Sequence, residues 1–355
     1  MVNVPYILKW VRNILTDVSC RLNRNRGREL ILSEREWISI ETSSICNLNC
    51  PFCAYPKKIS PRVTMDYELF RSSVEQAVEL GYRYINLTPC TGDVFMDRNL
   101  SEKLHYLDNH PMIKGYSFFT NFTIPRKKDI DKLFKYKKFK EIVISVYGHD
   151  RDSFVAMTNS SQKIYDRLVS NLDYFLSKLK YQRIPVRVSF HSACKTLIGK
   201  KSALIDALRS YSQNKIKVRT HKLLYNNWGG MVSDKDVEYL PITVLNNEVT
   251  SKNGACRRLF DQFQIMSNGV VNGCACRDAN ATLRMGDLHE EPLQKLVSSQ
   301  NPRYMKIIDD QQNGMFQEIC KNCDFYSSIY HRPFRYVKSG AKTETLDQFK
   351  KNNRF

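Results

Sequence analysis

Cys46-Asn-Leu-Asn-Cys50-Pro-Phe-Cys53 sets three cysteines at the spacing C-x3-C-x2-C. A cubane [4Fe–4S] cluster has four irons and is ordinarily held by four thiolates, so three local thiolates leave one iron open to an outside ligand. Zinc sites favour paired C-x2-C knuckles that complete a tetrahedron, and the x3-then-x2 spacing, with Phe52 before the last cysteine, argues against zinc. Immediately upstream, Trp37-Ile38-Ser39-Ile40-Glu41-Thr42 reads as a first strand, so the cysteine loop begins where that strand ends.

Strand and helix patterns alternate from there. A helix is expected from Leu69 to Leu80, with Gly81 as its C-cap. Further strands are expected at 84–88, 116–120, 142–146, 186–190 and 216–219, with helices near 98–108, 128–138, 161–180 and 201–211 between them. Six strands alternating with helices imply right-handed βαβ crossovers and a parallel sheet. The expected fold is α/β, a partial (β/α)6 TIM-like barrel over 36–235. Barrels of this kind keep their chemistry at the C-terminal ends of strands, which is where the cysteine loop falls.

The ends of the chain read differently. Within 1–35, Ile7, Leu8, Val11, Ile14, Leu15 and Val18 share one face of a basic amphipathic helix, and Arg21, Arg24, Arg26 and Arg28 follow. Such a helix can lie on a membrane surface, cap a barrel or pack on a partner. Beyond 250, Cys256, Cys274, Cys276, Cys320 and Cys323 form a second cluster. Residues 263–274 read as a hairpin with Asn268-Gly269 as a type I′ turn. One further iron–sulfur cluster or, as the alternative, one zinc could be held by thiols grouped in this way. Residues 331–355 form a basic tail without cysteine.

Composition excludes several classes. No run of eighteen apolar residues suggests a spanning helix, and Lys9 and Arg12 interrupt the apolar N-terminus that a secretory signal would need. Most of the eleven cysteines fall into ligand-like clusters and must stay reduced, which points to the cytoplasm, with peripheral membrane contact open through the N-terminal helix. A net charge of +19, from 55 basic and 36 acidic residues, suits an anionic substrate or surface, or reflects a lysine-rich solvated exterior.

The triad resembles the cluster motif of the radical S-adenosylmethionine (radical SAM) superfamily, and the later strand ends resemble it too. Thr88-Pro89-Cys90-Thr91-Gly92-Asp93 is similar to the Gly-Gly-Glu-Pro segment, with Asp93 where Glu is usual and Val94 in place of proline. Thr120-Asn121 is similar to a Thr-Asn-Gly turn with Phe122 replacing glycine, and Ile144-Ser145-Val146-Tyr147-Gly148 is similar to the serine segment after strand four. The resemblance implies that Cys46, Cys50 and Cys53 hold a [4Fe–4S] cluster, that SAM binds its open iron, and that Phe52, Gly92, Asp93, Asn121 and Ser145 meet SAM. An external reductant such as flavodoxin or ferredoxin is implied as partner.

The closing cysteines resemble a SPASM/Twitch extension, a small cysteine-rich α+β domain expected over 250–330. The shorter Twitch form, with one auxiliary [4Fe–4S] cluster on Cys256, Cys274, Cys320 and Cys323, is the better match. Such enzymes cleave SAM reductively to a 5′-deoxyadenosyl radical that abstracts hydrogen from a substrate C–H bond. Dehydrogenation or epimerisation of a sugar or aminocyclitol, free or carried on phosphate, nucleotide or lipid, is the expected reaction, with Cys276, Cys90 and Cys194 as candidate hydrogen donors. Peptide maturation is the alternative. RNA modification would use basic runs such as Arg126-Lys127-Lys128, but no recognisable RNA-binding module accompanies them.

Overall fold

The computed structural model describes residues 4–88, 90–182, 184–191, 199–212, 217–221, 223–245, 252–332 and 340–351. Pro89, Cys194 and Ile216 lie outside the described residues, as does part of the basic tail.

Thirteen strands are described: β1 Ile31–Leu32, β2 Trp37–Ile40, β3 Tyr84–Asn86, β4 Gly115–Thr120, β5 Phe139–Tyr147, β6 Val186–His191, β7 Lys217–His221, β8 Leu224–Tyr225, β9 Thr243–Val244, β10 Gln264–Ile265, β11 Val270–Asn272, β12 Arg284–Asp287 and β13 Thr343–Glu344. The helices are α1 Val4–Asn25, α2 Tyr67–Glu79, α3 Leu100–Asn109, α4 Lys127–Leu133, α5 Arg151–Thr158, α6 Gln162–Leu179, α7 Ala203–Ser212, α8 Arg258–Asp261, α9 Leu293–Leu296, α10 Pro302–Gln312, α11 Glu318–Lys321 and α12 Leu346–Lys351.

Strands β2 to β7 run parallel in sequential order, each paired with the next. This is the six-stranded parallel α/β sheet of the expected partial (β/α)6 barrel. Period-two alternation builds it: Ile40, Ile85, Phe118, Ile144 and Val188 are buried, while Ser39, Asn86, Ser117, Ser145 and Ser189 line the cavity. Each fully buried apolar side chain of this kind stabilises the fold by about 1.5–3 kcal/mol.

Four details differ from the sequence reading. Helix α4 stops at Leu133, and β5 begins at Phe139, because the Phe139 ring packs on Tyr116 (4.7 Å) and draws the lysine-rich segment into the sheet. Helix α5 was not expected, although Asp150 caps it and Asn159 ends it at φ 46°. The hairpin turn is not type I′: among its residues only Gly269 has positive φ (87°), and Gly269 N donates to Met266 O. That is the pattern of a type I turn closed by a glycine bulge. Finally, the hairpin is not set apart from the barrel, since β10 pairs in parallel with β2 and extends one nine-stranded sheet, β12-β11-β10-β2-β3-β4-β5-β6-β7.

Helix α1 packs by its C-terminal half on the auxiliary region. Asn23 Nδ2 donates to Tyr330 O, and Asp17 accepts from Asn253 Nδ2. Ile14, Leu15 and Val18 are exposed, and Cys20 is buried in the core. No helix among the described residues is long and apolar enough to cross a membrane.

Candidate functional site

The loop after β2 carries Cys46, Cys50 and Cys53, all unbridged, to the C-terminal edge of the sheet. Side chains from the next loops hold it there. Asn47 Nδ2 donates to Thr123 Oγ1 (2.9 Å), and Asn121 Nδ2 donates to Asn47 Oδ1 (3.0 Å) and reaches Cys46 Sγ at 3.9 Å. Trp228 Nε1 donates to the Phe52 carbonyl (3.0 Å), and the buried Phe52 ring packs against Tyr147 and Tyr225. Backbone amides of Leu48 and Tyr55 point at Cys46 Sγ and Cys53 Sγ. Burial pushes the Cys46 thiol up to about 12 and Cys53 to about 11, and raises Cys50 well above its usual value. Three thiols so shielded from water in one cavity become thiolates only when a cation compensates them, as iron does.

Gly92 sits at φ 122°, and a Cβ there would lie 2.7 Å from Ser43 O and 2.8 Å from the Ser44 carbonyl carbon. Only glycine lets this turn press against the strand that feeds the cysteine loop, where Asp93 N donates to Ile45 O. Asp93 lines the cavity, but its carboxylate already serves protein donors: Phe95 N on Oδ1, Asn121 N on Oδ2 (2.7 Å) and Thr120 Oγ1 on both. It therefore braces the turns after β3 and β4. Burial raises it to about 6 against those favourable hydrogen bonds. Ser145 lies on the cavity face of β5.

Together these residues line a cavity of about 820 Å³, within the range of small-molecule sites. A second, tighter chamber is lined by Cys256, Cys274, Cys320 and Cys323, with Cys276. Gln311 Nε2 donates to Cys320 Sγ and Phe325 N to Cys323 Sγ, both at 3.3 Å. Burial raises all four of these thiols, with Cys256 reaching about 12. The thiols line the two chambers, an all-sulfur donor set suited to iron–sulfur clusters.

Cys276 belongs to both linings and its Sγ donates to Gln262 Oε1 at 3.3 Å. Cys90 is buried in the wall of the main cavity. Sequence reasoning missed Arg258 and Arg277, which also line both chambers; the available signal was arginine two residues after Cys256 and directly after Cys276. It also missed Glu41, whose fully buried Oε2 accepts from Ser267 N and Oγ (3.0 Å each) and ties the barrel to the hairpin.

Two family models match the chain, the radical SAM superfamily over residues 40–186 and the SPASM iron–sulfur cluster-binding domain over 256–324. No curated protein matches. Among solved structures, BtrN in complex with AdoMet and 2-DOIA is 16% identical, with TM-score 0.52, covering 84% of this chain and 96% of BtrN. Streptococcus suis SuiB bound to precursor peptide SuiA is 16% identical, with TM-score 0.55, covering 95% of this chain and 79% of SuiB. Histidine-tagged anSMEcpe with bound AdoMet is 14% identical, with TM-score 0.51, covering 86% of this chain and 91% of anSMEcpe. At these identities the likenesses speak to fold. Motif, fold, thiol chambers and both family models agree on a radical SAM domain over residues 40–186 followed by a C-terminal SPASM iron–sulfur cluster-binding domain over 256–324, and these domains imply SAM and [4Fe–4S] clusters as cofactors.

Proposed function

We propose that the chain oxidises a sugar- or aminocyclitol-type substrate at a C–H bond next to a hydroxyl. The observation that carries this reading is the shared wall: Cys276, Arg258 and Arg277 line both the main cavity and the four-thiol chamber. Cys46, Cys50 and Cys53 would hold the SAM-binding cluster, and Cys256, Cys274, Cys320 and Cys323 the auxiliary one. The first cluster, with SAM on its open iron, supplies reductive SAM cleavage and hydrogen-atom abstraction from the substrate.

The chain's own part is placement. Asp93, Thr120 and Asn121 lock two cavity loops together, Phe52 and Tyr147 shield the thiols from water, and Asn86, Ser189 and His191 offer the hydrogen-bonding surface a polyol needs. A cluster held by Cys256, Cys274, Cys320 and Cys323 would supply a one-electron acceptor across the shared wall, so that loss of the hydroxyl proton to solvent and of the second electron to that cluster would complete oxidation to a carbonyl. BtrN, solved with AdoMet and 2-DOIA, supports a small polar substrate. SuiB, solved with a precursor peptide, supports a second reading in which the substrate is a peptide.

Anaerobically reconstituted protein, given SAM, dithionite or flavodoxin, and panels of sugars, aminocyclitols and peptides, separates these readings. A product two mass units lighter from a polyol supports oxidation. A product of unchanged mass in H2O that takes up deuterium from D2O, dependent on Cys276 or Cys90, turns the assignment to epimerisation; modification of peptides alone rejects the polyol reading.

A further inference from the structure

Apart from the thiols and His191, the main cavity is lined by five formally charged side chains, Asp93, Arg187, Arg258, Asp261 and Arg277. Most have charged neighbours. Arg187 forms a two-pronged pair with Glu141 (2.7 and 3.1 Å), Arg277 pairs with Asp324 (2.9 Å), and Asp261 lies 3.8 Å from Arg257. Asp93 is the negative pole at the three-cysteine end, satisfied by its three donors.

Arg258 is the unmatched cation at the opposite end. No carboxylate among the described residues lies within ion-pair distance of it, and its Nε is buried without a hydrogen-bond partner. Its guanidinium is held in place, 4.5 Å from the Phe325 ring centroid, and Arg277 stacks on the same ring at 4.9 Å. A guanidinium presents a rigid fork of donors matched to phosphate oxygens, and immobilisation by stacking removes much of the entropy cost of using it.

We propose that Arg258, assisted by Arg277, forms a phosphate subsite at the auxiliary-domain end of the main cavity. The substrate is then a phosphorylated or nucleotide-linked sugar or cyclitol rather than a free one. The net charge of +19 favours the approach of such an anion. This inference rests on the small-polar-substrate reading above and adds the group by which that substrate is gripped.

The test is calorimetric titration of the reconstituted holoprotein with pyrophosphate at fixed ionic strength, which needs no turnover. Wild-type protein binds saturably, and Arg258→Gln weakens binding about tenfold or more, the size of a lost charge-assisted pair. Removing an equal charge at exposed Lys306 (Lys306→Gln) leaves binding unchanged. Arg258→Lys keeps the charge but not the fork; an intermediate loss there supports the subsite even if Arg258→Gln fails to load iron. The proposal is overturned by absent saturable binding in wild type, by equal affinity in Arg258→Gln, or by tighter binding of malonate than pyrophosphate. It is equally overturned if the substitution moves only the midpoint potential of the auxiliary cluster, which would make the arginines cluster counter-charges. Loss of the pyrophosphate site with polyol oxidation intact refutes the subsite alone. Arginine-dependent binding without any polyol oxidation refutes the earlier reading instead.

Discussion

Phe122 occupies the left-handed region at φ 59°, where a Thr-Asn-Gly turn would carry glycine. The strain of a bulky residue there, roughly 1–2 kcal/mol, is outweighed because the ring is fully buried between Phe95 and Phe175. Phe122→Gly should therefore destabilise the fold by about 3 kcal/mol despite relieving the backbone, measured as a shift in urea midpoint. Asp93 gives a pH test with a definite sign. Its folded value of about 6 lies above the unfolded one, so the stability it contributes to the cluster-free protein is greatest below about pH 4 and is lost as pH rises through 6. With Asp93 in the proposed SAM site, affinity should run the other way: the carboxylate form braces Thr120 and Asn121 and would offer a negative pole to the SAM ammonium, so affinity should fall as pH drops below about 6. Asp93→Asn should flatten both profiles, measured by denaturation and by SAM titration; an unchanged affinity profile would remove Asp93 from the site. Gly92 and Asp93 were assigned to SAM by the resemblance of their segment, not by spacing. That Asp93 spends its oxygens on neighbouring loops was not legible, because Thr120 and Asn121 arrive from a distant strand.

Among the elements, α3 is anchored by an ion pair buried completely. Lys103 Nζ lies 2.7 Å from Asp97 Oδ2, donates to the Met65 carbonyl, and neither side chain is exposed. Lys103→Met should cost about 3–5 kcal/mol by leaving Asp97 charged and unpaired, and adding Asp97→Asn should recover much of it; equal losses in single and double variants would contradict the pairing. The six barrel strands were legible because a half-buried strand alternates with period two and long helices with period 3.6 separate them. Two features were not. The two-residue pairing of β1 with β13 joins Ile31 to Glu344 and leaves no local pattern. The docking of β10 on β2 depends on Glu41 capturing Ser267 across more than two hundred residues, and burial of that carboxyl raises its pKa although Lys58 opposes the shift. Glu41→Ala should loosen the hairpin and be read as faster amide exchange at Ser267 and Val271, with the six-strand core unchanged.

For the molecule as a whole, one continuous sheet presents two thiol-lined chambers to each other across a wall built from Cys276, Arg258 and Arg277. Two cubane clusters predict about eight irons per chain. Cys323→Ala should lower that to about four while sparing the three-cysteine site, and Cys50→Ala should do the reverse. The grouping of cysteines was legible from spacing alone; that the hairpin brings the second group to the first by pairing β10 with β2 at the barrel edge was not. The most direct test of the central claim is 5′-deoxyadenosine formation from SAM by anaerobically reconstituted, dithionite-reduced protein, with iron counted in the same sample. The predicted result is 5′-deoxyadenosine from wild-type protein and from Cys323→Ala, and none from Cys50→Ala. Full iron content without 5′-deoxyadenosine, or production undiminished in Cys50→Ala, would contradict it.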